Sequence, residues 1–254
     1  SMWNLYRQLG NTQYMLEQAR KECTVEGEGN PAMIGVALIM HSLIAQLLTD
    51  TYGNVPYSQA GLLALQDDNW EYTPKYDNQK DIYIDLLRSM EEANACFNKA
   101  KEMKSAGTLS NINFNSRYDY MYNGDVDKWQ RFGNSLYLRI LMRVSNKVVE
   151  ESDGIISLGE EFGDINVLNK INELYDCHLS GSGDYPMMRN LNDSARMQFS
   201  SKNSALYTPF YFTTGALWKQ TAACSTIVNL MLVKTDDPNK PWDPRYYRYF
   251  TKGV

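Results

Sequence analysis

The run Asn30–Ala60, NPAMIGVALIMHSLIAQLLTDTYGNVPYSQA, decides how the rest of the chain is read. Asn30 is a helix N-cap by residue type, and Pro31 follows at the first helical position, where its missing N–H costs nothing. From Pro31 to Leu48 nearly every residue is apolar, with no preferred face. A helix of that kind is the central helix of a helical domain or a membrane span, for which about 18 apolar residues is the lower limit. Gly35, His41, Ser42 and Gln46 interrupt the run and no basic residues flank it, which favours the central helix. The helix then runs into a corner, Thr49–Ala60. Gly53 accepts a backbone that other residues resist, and Pro56 fixes its own φ while holding Val55 extended. Residue chemistry reads the corner as a helix C-cap with Tyr52 and Tyr57 packed over it, with ligand contact as the alternative role.

Working outward, Trp3–Cys23 is an amphipathic helix, with Leu5, Leu9, Leu16, Ala19 and Cys23 at helical spacing. Thr24–Gly29 is a polar break. Downstream of the corner, Leu62–Tyr76 reads as a loop in which Gln66, Asp67, Asp68, Asn69, Glu71 interleave with Trp70 and Tyr72. Flat rings that stack on a pyranose face, beside planar groups that hydrogen-bond hydroxyls, are what sugar binding needs. A solvated loop with Trp70 tucked on a neighbouring helix fits the same residues. Asp77 is the expected cap of the next helix, which carries Ile82, Leu86, Met90, Ala93, Phe97 and Ala100 on one face and ends at Ser105-Ala106-Gly107. Asp125 caps a long helix with Trp129, Phe132, Leu136 and Ile140 on one face. Arg131, Arg139, Arg143 and Lys147 form a basic stripe on another, either solvated or docked on an acidic partner. Beyond Glu150 the pattern weakens. Val167–Tyr175 is a short helix, Ser180–Tyr185 and Ser200–Ser204 are loops, Leu206–Thr214 is a strand or aromatic loop, and Ala222–Val233 is a final helix before the Pro- and Asp-rich Asp236–Asp243.

A chain of 254 residues makes one large domain or two small ones. Its net charge of −5 argues against a general nucleic-acid binder, which would carry a basic face. The four cysteines, Cys23, Cys96, Cys177 and Cys224, make no CxxC, and their spacing demands no disulfide. His41 and His178 have no ligating neighbours in sequence, so neither a zinc site nor any other cofactor is expected. The opening Ser1-Met2-Trp3 carries no signal-peptide pattern and reads as a processed or truncated end. No dinucleotide fingerprint, P-loop, nucleophile elbow or HExxH is present. The acidic pairs Asp67-Asp68, Glu91-Glu92 and Glu160-Glu161 read as solvated surface, since a glycosidase needs two carboxylates set across a substrate rather than side by side in sequence. The balance leans away from catalysis.

The run Leu48-Thr49-Asp50-Thr51-Tyr52-Gly53-Asn54-Val55-Pro56-Tyr57-Ser58-Gln59-Ala60 resembles the L-T-D-x-Y-G-D-V-P-Y-S-E-A signature of the SusD/RagB family of nutrient-binding outer-membrane lipoproteins, with Asn54 and Gln59 in place of the usual acids. Tyr122–Trp129, with Phe132–Leu136 and Leu138–Arg143, is similar to that family's GD-x-x-KW-x-x-F-x-NSL-x-LR-x-x-MR helix. Asn192-Asp193-Ser194-Ala195 and Trp242-Asp243-Pro244-Arg245 are similar to later family elements in the same order. The resemblance implies a mostly α fold of tetratricopeptide-like helical hairpins with a loop-rich, irregular ligand-binding part: a helical scaffold over residues 1–149 and the irregular part over 150–254. It implies no enzymatic activity and no cofactor. It implies capture of a glycan, or of a peptide in some members, and delivery to a SusC-like TonB-dependent transporter at the cell surface. The membrane would be met only through an N-terminal lipid anchor that this chain does not include, and family members run to about twice its length. The ligand contacts expected are Asp68, Asn69, Trp70 and Tyr72, with Trp218 and Trp242. These come from residue chemistry, because the family's contacts lie in variable loops. A helical-repeat scaffold that binds a protein, and a glycosidase, are the other readings.

Overall fold

The computed structural model describes residues 2–23, 29–61 and 73–196. Among them are five α-helices, α1 (Met2–Lys21), α2 (Pro31–Tyr52), α3 (Gln79–Ser105), α4 (Val126–Ser152) and α5 (Val167–Ser180). Two short antiparallel strand pairs join them: β1 (Val55–Pro56) with β2 (Tyr76–Asp77), and β3 (Ile155–Ser157) with β4 (Asp164–Asn166). The fold is mostly α, as the sequence implies. The expectations for Ser200–Ser204, Leu206–Thr214, Ala222–Val233 and Trp242–Arg245 lie outside the described residues.

The helices begin and end where side chains can close their open backbone groups. The Asn30 carboxamide accepts the Ala32 N–H at 3.0 Å, and its NH2 donates to the Ile112 carbonyl at 2.8 Å, tying the start of α2 to the segment before α4. Asp125 accepts the Lys128 N–H at 3.1 Å. Asn166 accepts the Asn169 N–H at 3.0 Å, and α5 then runs to the left-handed Gly181, one turn and more beyond the expected Val167–Tyr175. The start of α3 differs from expectation. Asn78, not Asp77, occupies the cap position, and Asp77 pairs in β2 opposite Val55. Its carboxylate is taken up by the corner residues Tyr57 and Ser58, while the first N–H of α3, on Gln79, is satisfied by the Asn54 side chain at 3.0 Å.

α2 packs against α1, α3 and α4, and 15 of its 22 residues are buried. That accounts for a helix apolar on all sides: Ile34, Val36, Leu38, Ile39, Ile44 and Leu48 each face a neighbour, at about 1.5–3 kcal/mol per buried side chain. The helix is long and apolar enough to cross a membrane, but it serves here as the core helix. α1 and α3 both run antiparallel to it. On one side Thr12 meets His41 and Tyr6 meets Pro56; on the other Phe97 meets Gly35 and Gln79 meets Thr49. Two glycines set the approach. A Cβ on Gly35 would lie 2.8 Å from the Phe97 ring, and one on Gly133 would lie 2.5 Å from Ile39 Cδ1. Both are positions where α2 touches a partner helix too closely for a side chain.

Most polar groups inside this core are paired, the buried Ser42 hydroxyl of α2 being an exception. Gln130 donates to Asn94 and Asn98 at 2.8 Å each, and Asn134 donates to Asn94 at 3.1 Å and to the Pro186 carbonyl at 2.9 Å. Glu91 accepts Tyr137 Oη at 2.7 Å and Tyr185 Oη at 2.6 Å and pairs with Lys170 at 3.2 Å, which ties α3, α4, α5 and the chain after α5 together. The reading of Glu91-Glu92 as solvated surface is thereby corrected. Glu91 is largely covered in this network, and Glu92 pairs with Arg20 at 2.6 Å. The basic stripe of α4 reaches solvent at Arg139, Arg143 and Lys147, as the solvated reading expects, while its arginines are also tied internally. Arg131 pairs with Asp193 at 2.7 Å, Arg139 donates to Gln46 at 2.6 Å and Arg143 pairs with Asp50 at 2.9 Å.

Candidate functional site

The corner after α2 is closed on every side. Gly53, at φ 74°, donates its N–H to the Thr49 carbonyl at 2.8 Å, and the Thr49 hydroxyl donates to the Gly53 carbonyl at 2.8 Å. Asp77 accepts the N–H groups of Tyr57 and Ser58 at 3.0 and 2.7 Å and the Ser58 hydroxyl at 2.9 Å. Burial pushes the Asp77 carboxyl up, but these bonds and Lys75 outweigh it and hold the group below the usual carboxylate range. Gln59 accepts the Lys75 N–H at 3.0 Å. Asn54 and Gln59, the two departures from the signature, therefore both act as acceptors of backbone N–H groups, a role an acid fills equally well. Of the two tyrosines, Tyr57 packs inward and Tyr52 is half exposed.

These contacts make the corner and β1–β2 a rigid stem. The segment that leaves it after Gly61 and returns at Thr73 carries Asp68, Asn69, Trp70 and Tyr72, and all four lie outside the described residues, as do Trp218 and Trp242. The stem itself is seated on α1. Gly61 has φ 77°, and a Cβ there would lie 2.9 Å from Gly10 Cα.

Beside the stem, α1, α2, α3 and the β3–β4 turn enclose a cavity of about 690 Å³. Tyr57 and Ser58 form its wall on the stem side, Arg20 and Gln13 on α1, His41 on α2, Asp85, Arg88 and Glu92 on α3, and Phe162 on the turn. Tyr57 Oη donates to Asp85 Oδ2 at 2.5 Å, and Arg88 pairs with the other oxygen of the same carboxylate. The His41 ring lies tilted against Tyr57 with centroids 5.7 Å apart, and its Nδ1 meets the Thr12 hydroxyl at 3.2 Å. Burial lowers the His41 ring to about 4, against an opposing pull from Asp85. Burial and then Asp85 push the Tyr57 hydroxyl well above its ordinary range. At neutral pH the ring is therefore neutral and the phenol protonated, and neither is poised to exchange a proton. What the cavity offers is a set of fixed donors and acceptors beside two aromatic rings, the chemistry that holds a polyhydroxylated ligand. Among the described residues no group of His, Cys, Asp and Glu is placed to hold a metal ion.

Sequence reasoning read Tyr57 as packing over the corner and missed its grouping with His41, Asp85 and Arg88. Asp85 and Arg88 stand three apart on α3 and read as an ordinary surface pair, and nothing local shows that α2 brings His41 to them. The motif residues resolve differently, as internal ties. Asp50 of the corner accepts the Tyr83 hydroxyl and meets Arg143 of α4. Asp119 accepts Trp129 Nε1 and the Gly124 N–H, both at 2.8 Å, to fold the turn that starts α4. Ser135 accepts the Met188 N–H at 3.1 Å.

A family model described as starch-binding, associating with the outer membrane, matches residues 1–253. No curated protein matches the chain. Among solved structures, a chitin-binding protein is 26% identical, with a TM-score of 0.51 over 76% of this chain and 33% of its own. A SusD homologue from Bacteroides fragilis NCTC 9343 is 23% identical, with a TM-score of 0.51 over 79% of this chain and 34% of its own. Another from Bacteroides uniformis ATCC 8492 is 20% identical, with a TM-score of 0.52 over 78% and 31%. The chain thus spans about a third of the length of the solved proteins it resembles, and the likeness to the last two is one of fold.

Proposed function

This chain belongs to the SusD-like family of starch-binding proteins associating with the outer membrane, and from that premise we propose that it is a non-catalytic binding protein of the cell surface. It captures nutrient glycans and passes them to a SusC-like TonB-dependent transporter, and it is held at the outer membrane by an N-terminal lipid as in the family. The observation that carries this reading is the family match from one end of the chain to the other. The likeness to a chitin-binding protein supports a polysaccharide as the ligand class. So does the fixed stem beside the cavity, which anchors the segment bearing Asp68, Asn69, Trp70 and Tyr72. In this reading those four contact the sugar, with Trp218 and Trp242 adding further rings. Aromatic stacking and water-bridged hydrogen bonds at an open site give weak binding, on the order of micromolar to millimolar.

Calorimetric titration with malto-oligosaccharides and chitin oligosaccharides tests the reading. Binding in that range, weakened about tenfold or more by Trp70→Ala, is the expected result. Binding of peptides but no saccharide would move the ligand class to peptide within the same family. Binding of neither, or an unchanged affinity in Trp70→Ala, would remove capture through this segment.

A further inference from the structure

Cys23 and Cys96 stand 73 positions apart in sequence (96 minus 23) and draw no notice there. The helices bring them into one layer. α1 and α3 both run antiparallel to α2, so they run parallel to each other. The Arg20–Glu92 ion pair, at 2.6 Å, shows which residues of the two helices lie level. Past Lys21 the chain continues as a wider π turn through Glu22 and Cys23, so Cys23 is three residues on from Arg20 and Cys96 four residues on from Glu92 along α3. Steps of three and four keep the same helical face. The next level of contact after the ion pair therefore presents a thiol from each helix. Both are half-buried against the core.

We propose that Cys23 and Cys96 form a disulfide that ties the end of α1 to α3 when the protein meets an exchangeable disulfide as oxidant. Closure needs the two Cα atoms within about 7 Å. Cys23 lies two residues past the end of α1, where a terminal turn readily adjusts. The electrostatics agree with the placement: Lys99 favours the thiolate of both cysteines, and a Cys23 thiolate raises Cys96. They also set the order of events. Burial pushes the Cys96 thiol up to about 12, while the less deeply set Cys23 is also raised by burial. Cys23 therefore attacks first. Its thiolate displaces one thiolate from the oxidant and forms a mixed disulfide. Cys96, deprotonated, then attacks Cys23 Sγ and expels the second. Two protein thiols are oxidised, one external disulfide is reduced to two thiols, and atoms and electrons balance.

The test is incubation of the folded chain with oxidised glutathione, then denaturation, alkylation and non-reducing peptide mapping. The expected product is a peptide pair joined through Cys23 and Cys96, with Cys177 alkylated in full. In Cys96→Ser, Cys23 should instead retain a glutathione adduct, because the resolving thiol is gone. Reductant should lower the Tm of the oxidised parent and leave that of Cys96→Ser unchanged. Full alkylation of both cysteines after oxidation, a lasting glutathione adduct on Cys23 in the parent, or a link from Cys23 to Cys177 or Cys224 would overturn the pairing. The outcome is independent of glycan binding.

Discussion

His41 is a titratable ring inside the most apolar helix of the chain, between the Thr12 hydroxyl, the Tyr57 ring and the Asp85 carboxylate. Its pKa is about 4 in the folded protein and 6.5 in the ordinary state, so between those values the unfolded chain takes up a proton that the folded chain refuses. Stability therefore falls as the pH drops from 6.5 to 4, by up to about 3 kcal/mol. Asp77, Asp119 and Asp193 act in a separate window. Each is held below its ordinary 3.8, so their contribution is present above that value and is lost below it. Urea unfolding across pH 5 to 7 should thus show stability falling toward acid with a slope that approaches one proton in the parent, and a clearly smaller slope in His41→Gln. An equal slope in the two proteins would remove His41 as its source. Gly124 is a second residue whose neighbours are decisive. Its φ is 85° and a Cβ there would sit 2.1 Å from the Phe114 carbonyl oxygen, so Gly124→Ala should cost about 2 kcal/mol or more in the same measurement.

At the scale of elements, the helices were legible because their signals are local. Asn30-Pro31 and Asp125 cap where their residue types say they should, and an apolar face four turns long needs no tertiary knowledge to be seen. What escaped was built from contacts between distant segments. β1 to β4 are two or three residues each, too short for any alternation to register. Asp77 was misread as a helix cap because a single acid before a helix looks the same whether its carboxylate turns to that helix or back to Tyr57 and Ser58. The candidate cavity was illegible for the same reason: its residues come from three helices and two turns. The bonds of Asp77 can be checked directly. Its side chain is 13% exposed and accepts three hydrogen bonds from the corner. Asp77→Ala should lower stability by about 1–3 kcal/mol. It should also speed amide exchange at Tyr57 and Ser58, whereas a change confined to the first turn of α3 would restore the helix-cap role.

At the scale of the molecule, most of the described motif residues that made the family recognisable are held by internal partners, and only the signature's Tyr57, Ser58 and Ala60 border the cavity. Asp50 reaches Arg143, Asn134 reaches the Pro186 carbonyl, and Asp193 reaches Arg131. Residues held by internal partners of this kind are fixed by the scaffold, so they identify the fold and leave the ligand unspecified. The proposed contacts at Asp68, Asn69, Trp70 and Tyr72 have the opposite character, polar and aromatic residues with no helical pattern, and only their chemistry points to sugar. This division of labour predicts a crossed pair of phenotypes. Arg131→Ala strands the Asp193 carboxylate, whose side chain is 3% exposed, with backbone N–H partners alone. The cost should be about 2–4 kcal/mol of stability, since the charge left behind is buried. Glycan affinity, measured well below the variant's Tm and per folded molecule, should stay within about twofold of the parent, because nothing that faces ligand has moved. Trp70→Ala should do the reverse, weakening binding by about tenfold or more while leaving the urea midpoint unchanged. If Arg131→Ala instead lost affinity in proportion to Trp70→Ala with the fold intact, the α4 motif would belong to the binding site, and the separation of scaffold from ligand contact would fail.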